Sequence, residues 1–114
     1  QVGLAMGLKE VDAGGKAAKM WAEADRGDVF EELDGHMTGR GGRTNWLASM
    51  AQDVKKGRRS EIDQMNGLVT RKGRELSIPT PFTDAVVDAM HGIDDGSLPP
   101  GPSNVDWILK AAGR

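Results

Sequence analysis

The chain has 114 residues, a mass of 12.2 kDa and a formal net charge of -2, a size that suits one modest core and excludes a self-contained two-domain enzyme. It contains no cysteine, which excludes a thiolate zinc site, a thiol nucleophile and a disulfide framework. Hydrophobic residues at 38%, charged residues at 28% and a mean hydropathy of -0.48 are those of a soluble globular domain, with no apolar run near the ~20 residues of a membrane span and no signal-peptide layout, so a cytoplasmic location is expected.

In chain order, residues 5–10 read as the end of a helix, followed by a break from Asp12 to Gly15. Residues 15–24 are good helix formers, with Ala18, Trp21 and Ala22 spaced for one face. Residues 26–37 place Val29, Phe30 and Leu33 on a second helix with Asp28 available as its cap. The glycine-rich run 38–43 is expected to be a loop; it lacks the strand-to-helix setting of a nucleotide-binding motif, although Arg40 and Arg43 could reach a phosphate on another domain. Residues 45–56 suit a helix burying Trp46, Met50 and Val54, ended by Gly57. Ser60 then reads as the N-cap of a long helix through Leu76, with Asp63 in place of the capping-box glutamate. On that helix Ile62, Met65, Leu68, Val69 and Leu76 share one stripe. Pro79 and Pro81 end it and open a helix over 80–93 carrying Phe82, Val86, Val87 and Met90. A turn-rich linker at 94–103 leads to a last short helix, capped by Ser103 or Asn104. About six short helices and no convincing strand predict an all-α domain.

Charge is unevenly distributed. Residues 1–38 hold 4 basic and 8 acidic side chains, residues 39–74 hold 9 and 3, and residues 75–114 hold 2 and 6. The basic middle raises the possibility of nucleic-acid binding through Arg40, Arg43, Lys55, Lys56, Arg58, Arg59, Arg71, Lys72 and Arg74. An acidic pI of about 5.6 and the lack of a recognition motif or of many stacking aromatics weigh against it. A solvated face whose charges meet acidic partners within the fold is the simpler reading.

Two side chains stand out for chemistry. With Ile62 at zero on the expected helix, Glu61 falls at about 260°, between Leu68 at about 240° and Met65 at about 300°. A carboxylate on an apolar stripe needs a cation, a hydrogen-bond network or a raised pKa, unless it is solvated at the helix start, where the dipole favours it. Ser49, between Trp46 and Met50 near the start of its helix, offers a hydroxyl to an anion such as a carboxylate, or else a local cap. Asn45 and Asn66 are amides that either orient a polar substrate or close a helix end. His36 and His91 are too far apart in sequence to suggest a local metal site, and no serine lies in a G-x-S-x-G elbow.

Residues 49–87 carry a longer pattern. Ser49-Met50-Ala51-Gln52-Asp53 is followed by Gly57-Arg58-Arg59-Ser60-Glu61-Ile62-Asp63-Gln64-Met65-Asn66-Gly67, and then by Ser77-Ile78-Pro79-Thr80-Pro81. In order, spacing and identity this resembles the C-terminal domain of the ketopantoate reductases, whose pattern is SM-x-QD, GR-[RT]-x-EID-x-[ML]NG and a Gly-Ile-Pro-x-Pro turn. The resemblance implies an all-helical domain of the 6-phosphogluconate dehydrogenase C-terminal-like kind that spans residues 1–114 and serves substrate binding and dimerisation. It implies a Rossmann domain that binds NADPH and a lysine-bearing first helix, both expected upstream of Gln1, and hydride transfer to a small 2-oxo acid. The chain alone is then expected to be inactive. By the same resemblance the serine at Ser49 holds the substrate carboxylate, and the glutamate at Glu61 joins the substrate hydroxyl and the catalytic lysine. Asn45 stands four residues before Ser49, where the family's substrate-binding asparagine usually stands three before. Ser77 replaces the family's glycine. The competing expectation is a stand-alone helical interaction module whose basic middle binds an acidic partner or RNA.

Overall fold

The computed structural model describes residues 1–39 and 48–113. Asn45, Trp46 and the arginines at 40 and 43 lie outside them. Among the described residues, regular structure consists of seven helices and one pair of two-residue strands, which meets the all-α expectation. The chain divides into two compact units, Gln1–Trp46 and Leu47–Arg114.

The first unit is assembled from short pieces. Helix α1 (Val2–Ala5) ends where expected, with Gly7 in the left-handed region after it. The break at 12–15 is a β-hairpin: β1 (Asp12–Ala13) pairs antiparallel with β2 (Lys16–Ala17). Gly14 at φ 62° and Gly15 at φ 84° form its two-residue turn, which needs positive φ at both positions. The strands shorten the expected second helix to α2 (Ala18–Ala22), and α3 runs over Gly27–Gly39. Side chains tie the hairpin down: Trp21 Nε1–H donates to the Ala13 carbonyl at 2.9 Å and His36 Nε2–H to that of Gly14 at 2.7 Å. Gln1 Nε2 donates to Ala22 O at 2.9 Å. Among the described hydrophobic residues of this unit, only Val2 and Leu33 are buried.

The second unit holds α4 (Ser49–Lys55), α5 (Asn66–Glu75), α6 (Pro81–Asp95) and α7 (Asn104–Ala111), with α5 packed on α6 and α6 on α7. Helix α5 starts five residues later than the capping reading of Ser60 predicts. Ser60 caps nothing, because its N–H and hydroxyl are both taken by Asp94 on α6. Residues 62–65 form turns instead, with the Glu61 carbonyl accepting from the N–H groups of Gln64 and Met65 at 3.1 and 3.2 Å. Met65, at φ -98° and ψ -90°, is not helical.

This break overturns the predicted stripe. Ile62 is 1% exposed, whereas Met65 is 49% and Leu68 47%, and Val69 and Leu76 are exposed too. The face α5 buries carries Gly67, Thr70 and Gly73. Small residues here let the backbone approach closely: a Cβ on Gly73 would lie 2.8 Å from both the Ile78 carbonyl oxygen and Thr80 Cγ2. Helix α6 matches it with buried Ala85, Val87 and Ala89, while Phe82 of the expected apolar face is exposed. Burying Ile62 contributes roughly 1.5–3 kcal/mol relative to exposure.

The α5–α6 corner is closed by a Schellman motif. Ser77 N–H donates to Arg74 O at 3.2 Å and Ile78 N–H to Gly73 O at 2.8 Å, with Ser77 itself at φ 57°. That left-handed position is one glycine fills without a steric cost. Arg74 and Thr80 both donate to Asp84, each at 3.0 Å, which fastens the end of α5 to the start of α6. Before α7, Ser103 occupies the N-cap position without a side-chain bond, and Asn104 donates to Pro99 O at 2.9 Å.

Candidate functional site

Glu61 sits between residues that are held individually. On one side, Ser60 N–H donates to Asp94 Oδ1 at 3.0 Å and its hydroxyl donates to Asp94 Oδ2 at 2.7 Å. On the other, Ile62 is the most deeply buried large side chain of those described. Beyond it, Asp63 Oδ1 accepts from His91 Nε2 at 2.7 Å, and the Asp63 carbonyl accepts from Arg71 at 3.1 Å. Glycine at 67 is part of this arrangement: its N–H donates to Ile62 O at 2.8 Å, and a Cβ there would come within 3.4 Å of Asp63 Oδ1 and Ile62 O.

Helix phase left Glu61 either on an apolar stripe in need of a cation or solvated at the helix start; the structure places it ahead of α5 and exposed. Among the described residues no hydrogen bond or ion pair engages its carboxylate. An exposed carboxylate on an anchored turn is free to accept a hydrogen bond from a ligand hydroxyl or ammonium, and such charge-assisted bonds are the stronger ones.

Ser49 is the first residue of α4 and is exposed, with Ala48 at the N-cap and no side-chain cap bond. No hydrogen bond joins it to Glu61, but both lie in the second unit on consecutive segments. The turn between them is closed by Arg58, whose N–H donates to Asp53 O at 2.8 Å and whose guanidinium meets Asp53 Oδ1 at 2.8 Å. Asn66 opens α5 and is half-buried. Asn45, the other amide expected at the site, is outside the described residues.

Sequence reasoning weighed His91 only as a metal ligand and passed over Asp94; their spacing of three on α6 puts both against the turn, and the polar pair at 60 and 63 beside Ile62 was the signal. The reading of the basic middle as charges that meet acidic partners holds for three of its nine cations. Arg58 pairs with Asp53, Lys72 with Glu75 at 2.7 Å and Arg74 with Asp84, and Arg71 is engaged with the Asp63 carbonyl. Among the described residues no cluster of three or more His, Cys, Asp or Glu could hold a metal ion, and no helix is long and apolar enough to cross a membrane.

Comparisons with known proteins point to the family that the motif resembles. The family described as "Ketopantoate reductase PanE/ApbA C terminal" matches residues 7–94. The chain is 40% identical over 48 residues to a 2-dehydropantoate 2-reductase of Lactococcus lactis subsp. lactis, a stretch covering 41% of this chain and 15% of that protein. It is 31% identical over 49 residues to a 2-dehydropantoate 2-reductase of Archaeoglobus fulgidus, covering 43% and 17%. The chain thus aligns with about one sixth of the length of the curated relatives it matches. No solved structure matches it.

Proposed function

The chain belongs to the ketopantoate reductase C-terminal family, and from that premise we propose that it is the substrate-binding helical part of an NADPH-dependent 2-oxo acid reductase that converts ketopantoate to pantoate in the cytoplasm, as a homodimer. The observation that carries this reading is the presentation of Glu61: an exposed, unengaged carboxylate whose neighbours on both sides are pinned.

Reduction of a ketone needs a hydride held against the carbonyl carbon and a proton for the oxygen. Among the described residues the only strands are two residues long, so there is no strand–turn–helix to receive a dinucleotide. The described residues thus offer no Rossmann fingerprint for NADPH, and in this reading the cofactor is held by a Rossmann domain of the complete protein. The proposed work of this chain is to bind and orient. The Ser49 hydroxyl donates to the substrate carboxylate, with Asn45 assisting. The Glu61 carboxylate accepts from the hydroxyl that forms and from the lysine that supplies its proton. A carboxylate placed there keeps the lysine protonated and able to donate, and it accepts from the hydroxyl that forms whereas the ketone offers it no donor, so its contact with the substrate strengthens toward the transition state.

In the complete protein, Glu61→Ala and Ser49→Ala are each expected to lower kcat/KM for ketopantoate ten-fold or more, about 1.4 kcal/mol of transition-state stabilisation. Steady-state kinetics with wild-type values in both variants would remove the pair from the site. The competing interaction-module reading has less support, because four of the nine cations in the basic middle already have partners within the second unit; steeply salt-dependent nucleic-acid binding would revive it.

A further inference from the structure

We propose that Asp94 is a positioning residue for Glu61, so that α6 sets the geometry of a carboxylate carried on a different segment; this rests on the reading of Glu61 as a substrate-network residue. Asp94 lies 34 positions from Ser60 in sequence and spends both carboxylate oxygens on that one residue, accepting from its N–H at 3.0 Å and from its hydroxyl at 2.7 Å. A two-point contact to the backbone and side chain of a single residue fixes its orientation, whereas one bond would leave it free to turn. This contact also diverts Ser60 from capping a helix. Without it, the capping motif in the sequence would start the helix at residue 61 and swing Glu61 onto the apolar stripe.

The downstream side is held from the same helix. One turn before Asp94, His91 donates to Asp63 at 2.7 Å. Both of those side chains are nearly half exposed, so this contact is the weaker of the two. Ile62, at 1% exposure, fixes the residue between. Residues 60, 62 and 63 are thus each anchored, and Glu61 projects from a turn with little freedom left. Asp94 acts on the reaction only through Glu61.

The test uses steady-state reduction of ketopantoate by the complete protein. Asp94→Ala is expected to lower kcat roughly ten-fold with KM changed by less than about three-fold, because the Glu61 contact strengthens in the transition state. Asp94→Asn keeps an acceptor for the Ser60 N–H and offers an N–H to its oxygen, and is expected to recover kcat to within about three-fold of wild type. In a Glu61→Ala background, Asp94→Ala is expected to cost nothing further. Normal kinetics for Asp94→Ala beside an impaired Glu61→Ala would overturn the positioning role and leave the site standing. Additive losses would make Asp94 merely structural, and an equal loss in Asp94→Asn would assign the effect to charge; either overturns the proposal. A silent Glu61→Ala would overturn the reading of the site itself, and this proposal with it. If Asp94→Ala fails to fold, Ser60→Ala removes the hydroxyl half of the contact. It is expected to lower kcat about three-fold, again with no additional loss on Glu61→Ala, and additivity there would count against the proposal in the same way.

Discussion

The two units of this chain, with nine glycines in 46 residues and seven in 68, use that residue for opposite ends. In Gln1–Trp46 the glycines at 14 and 15 serve a turn, and side chains reach back to carbonyls to hold the short pieces together. Its ion pairs, Lys16–Glu32, Arg26–Glu23 and Arg26–Asp28, are exposed, a class worth ~0–1 kcal/mol each. In Leu47–Arg114 glycine instead marks close approach, at Gly73 against the α5–α6 corner and at Gly67 under the turn that carries Glu61. Structure held by turns tolerates a change at its surface. Structure held by contact does not, and the family pattern of residues 49–87 falls in the second kind.

That contrast can be broken by adding one methyl group to each unit. Gly73→Ala places a Cβ 2.8 Å from a backbone oxygen and is expected to destabilise the second unit by about 2 kcal/mol, in the usual range for overpacking. Gly35→Ala, in the middle of α3 with nothing within 4 Å of its Cβ, is expected to stabilise the first unit by about 0.5–1 kcal/mol through helix propensity. Denaturant unfolding of both variants, with hydrogen exchange to assign the change to its unit, checks the pair. Equal effects would remove the distinction.

A smaller effect sharpens it. Ser77 holds φ 57° at the left-handed position of the Schellman motif, where an L side chain costs roughly 1–2 kcal/mol. Ser77→Gly relieves that strain and loses part of the gain to the freer unfolded chain, for a net stabilisation of about 0.5 kcal/mol, measurable as a raised denaturation midpoint. The result would give the physical reason for the glycine in the family's Gly-Ile-Pro turn.

The smallest expected effect belongs to the first unit. A hydrogen bond from Arg26, aided by the backbone N–H of Val29, holds the Asp28 carboxyl below the ordinary aspartate range. A depressed folded-state pKa favours the folded state above the unfolded pKa, and this contribution disappears as pH falls through the folded value. NMR titration should show Asp28 protonating later than a free aspartate on acidification. Arg26→Gln should move it back up, with little change in stability because the site is open to screening by salt.

Local chemistry was legible in the sequence. The helix ends at Gly7 and Gly57, the start of α6 at Pro81 and the last helix after the 94–103 linker all follow from φ preferences and missing N–H groups, which act over a few residues. The break at 12–15 was legible in its paired glycines, but the hairpin was not, because two-residue strands carry no alternation to notice. Glu61 and Ser49 were singled out from residue type and pattern, and of the two placements open to Glu61, a buried stripe or a solvated one, the structure shows the exposed one. Helix periodicity was extended through residues that are not helical.

The amino-acid sequence by itself determined the all-α class and the family, because each is written in short-range patterns of turn formers, periodicity and motif identity. Tertiary structure alone decided which face of α5 turns inward and where Glu61 points. Ser60 has two partners within reach of its chemistry, the first turn of its own helix and a carboxylate 34 residues away on α6. Two hydrogen bonds to Asp94, made together with the burial of Ile62, outweigh one cap.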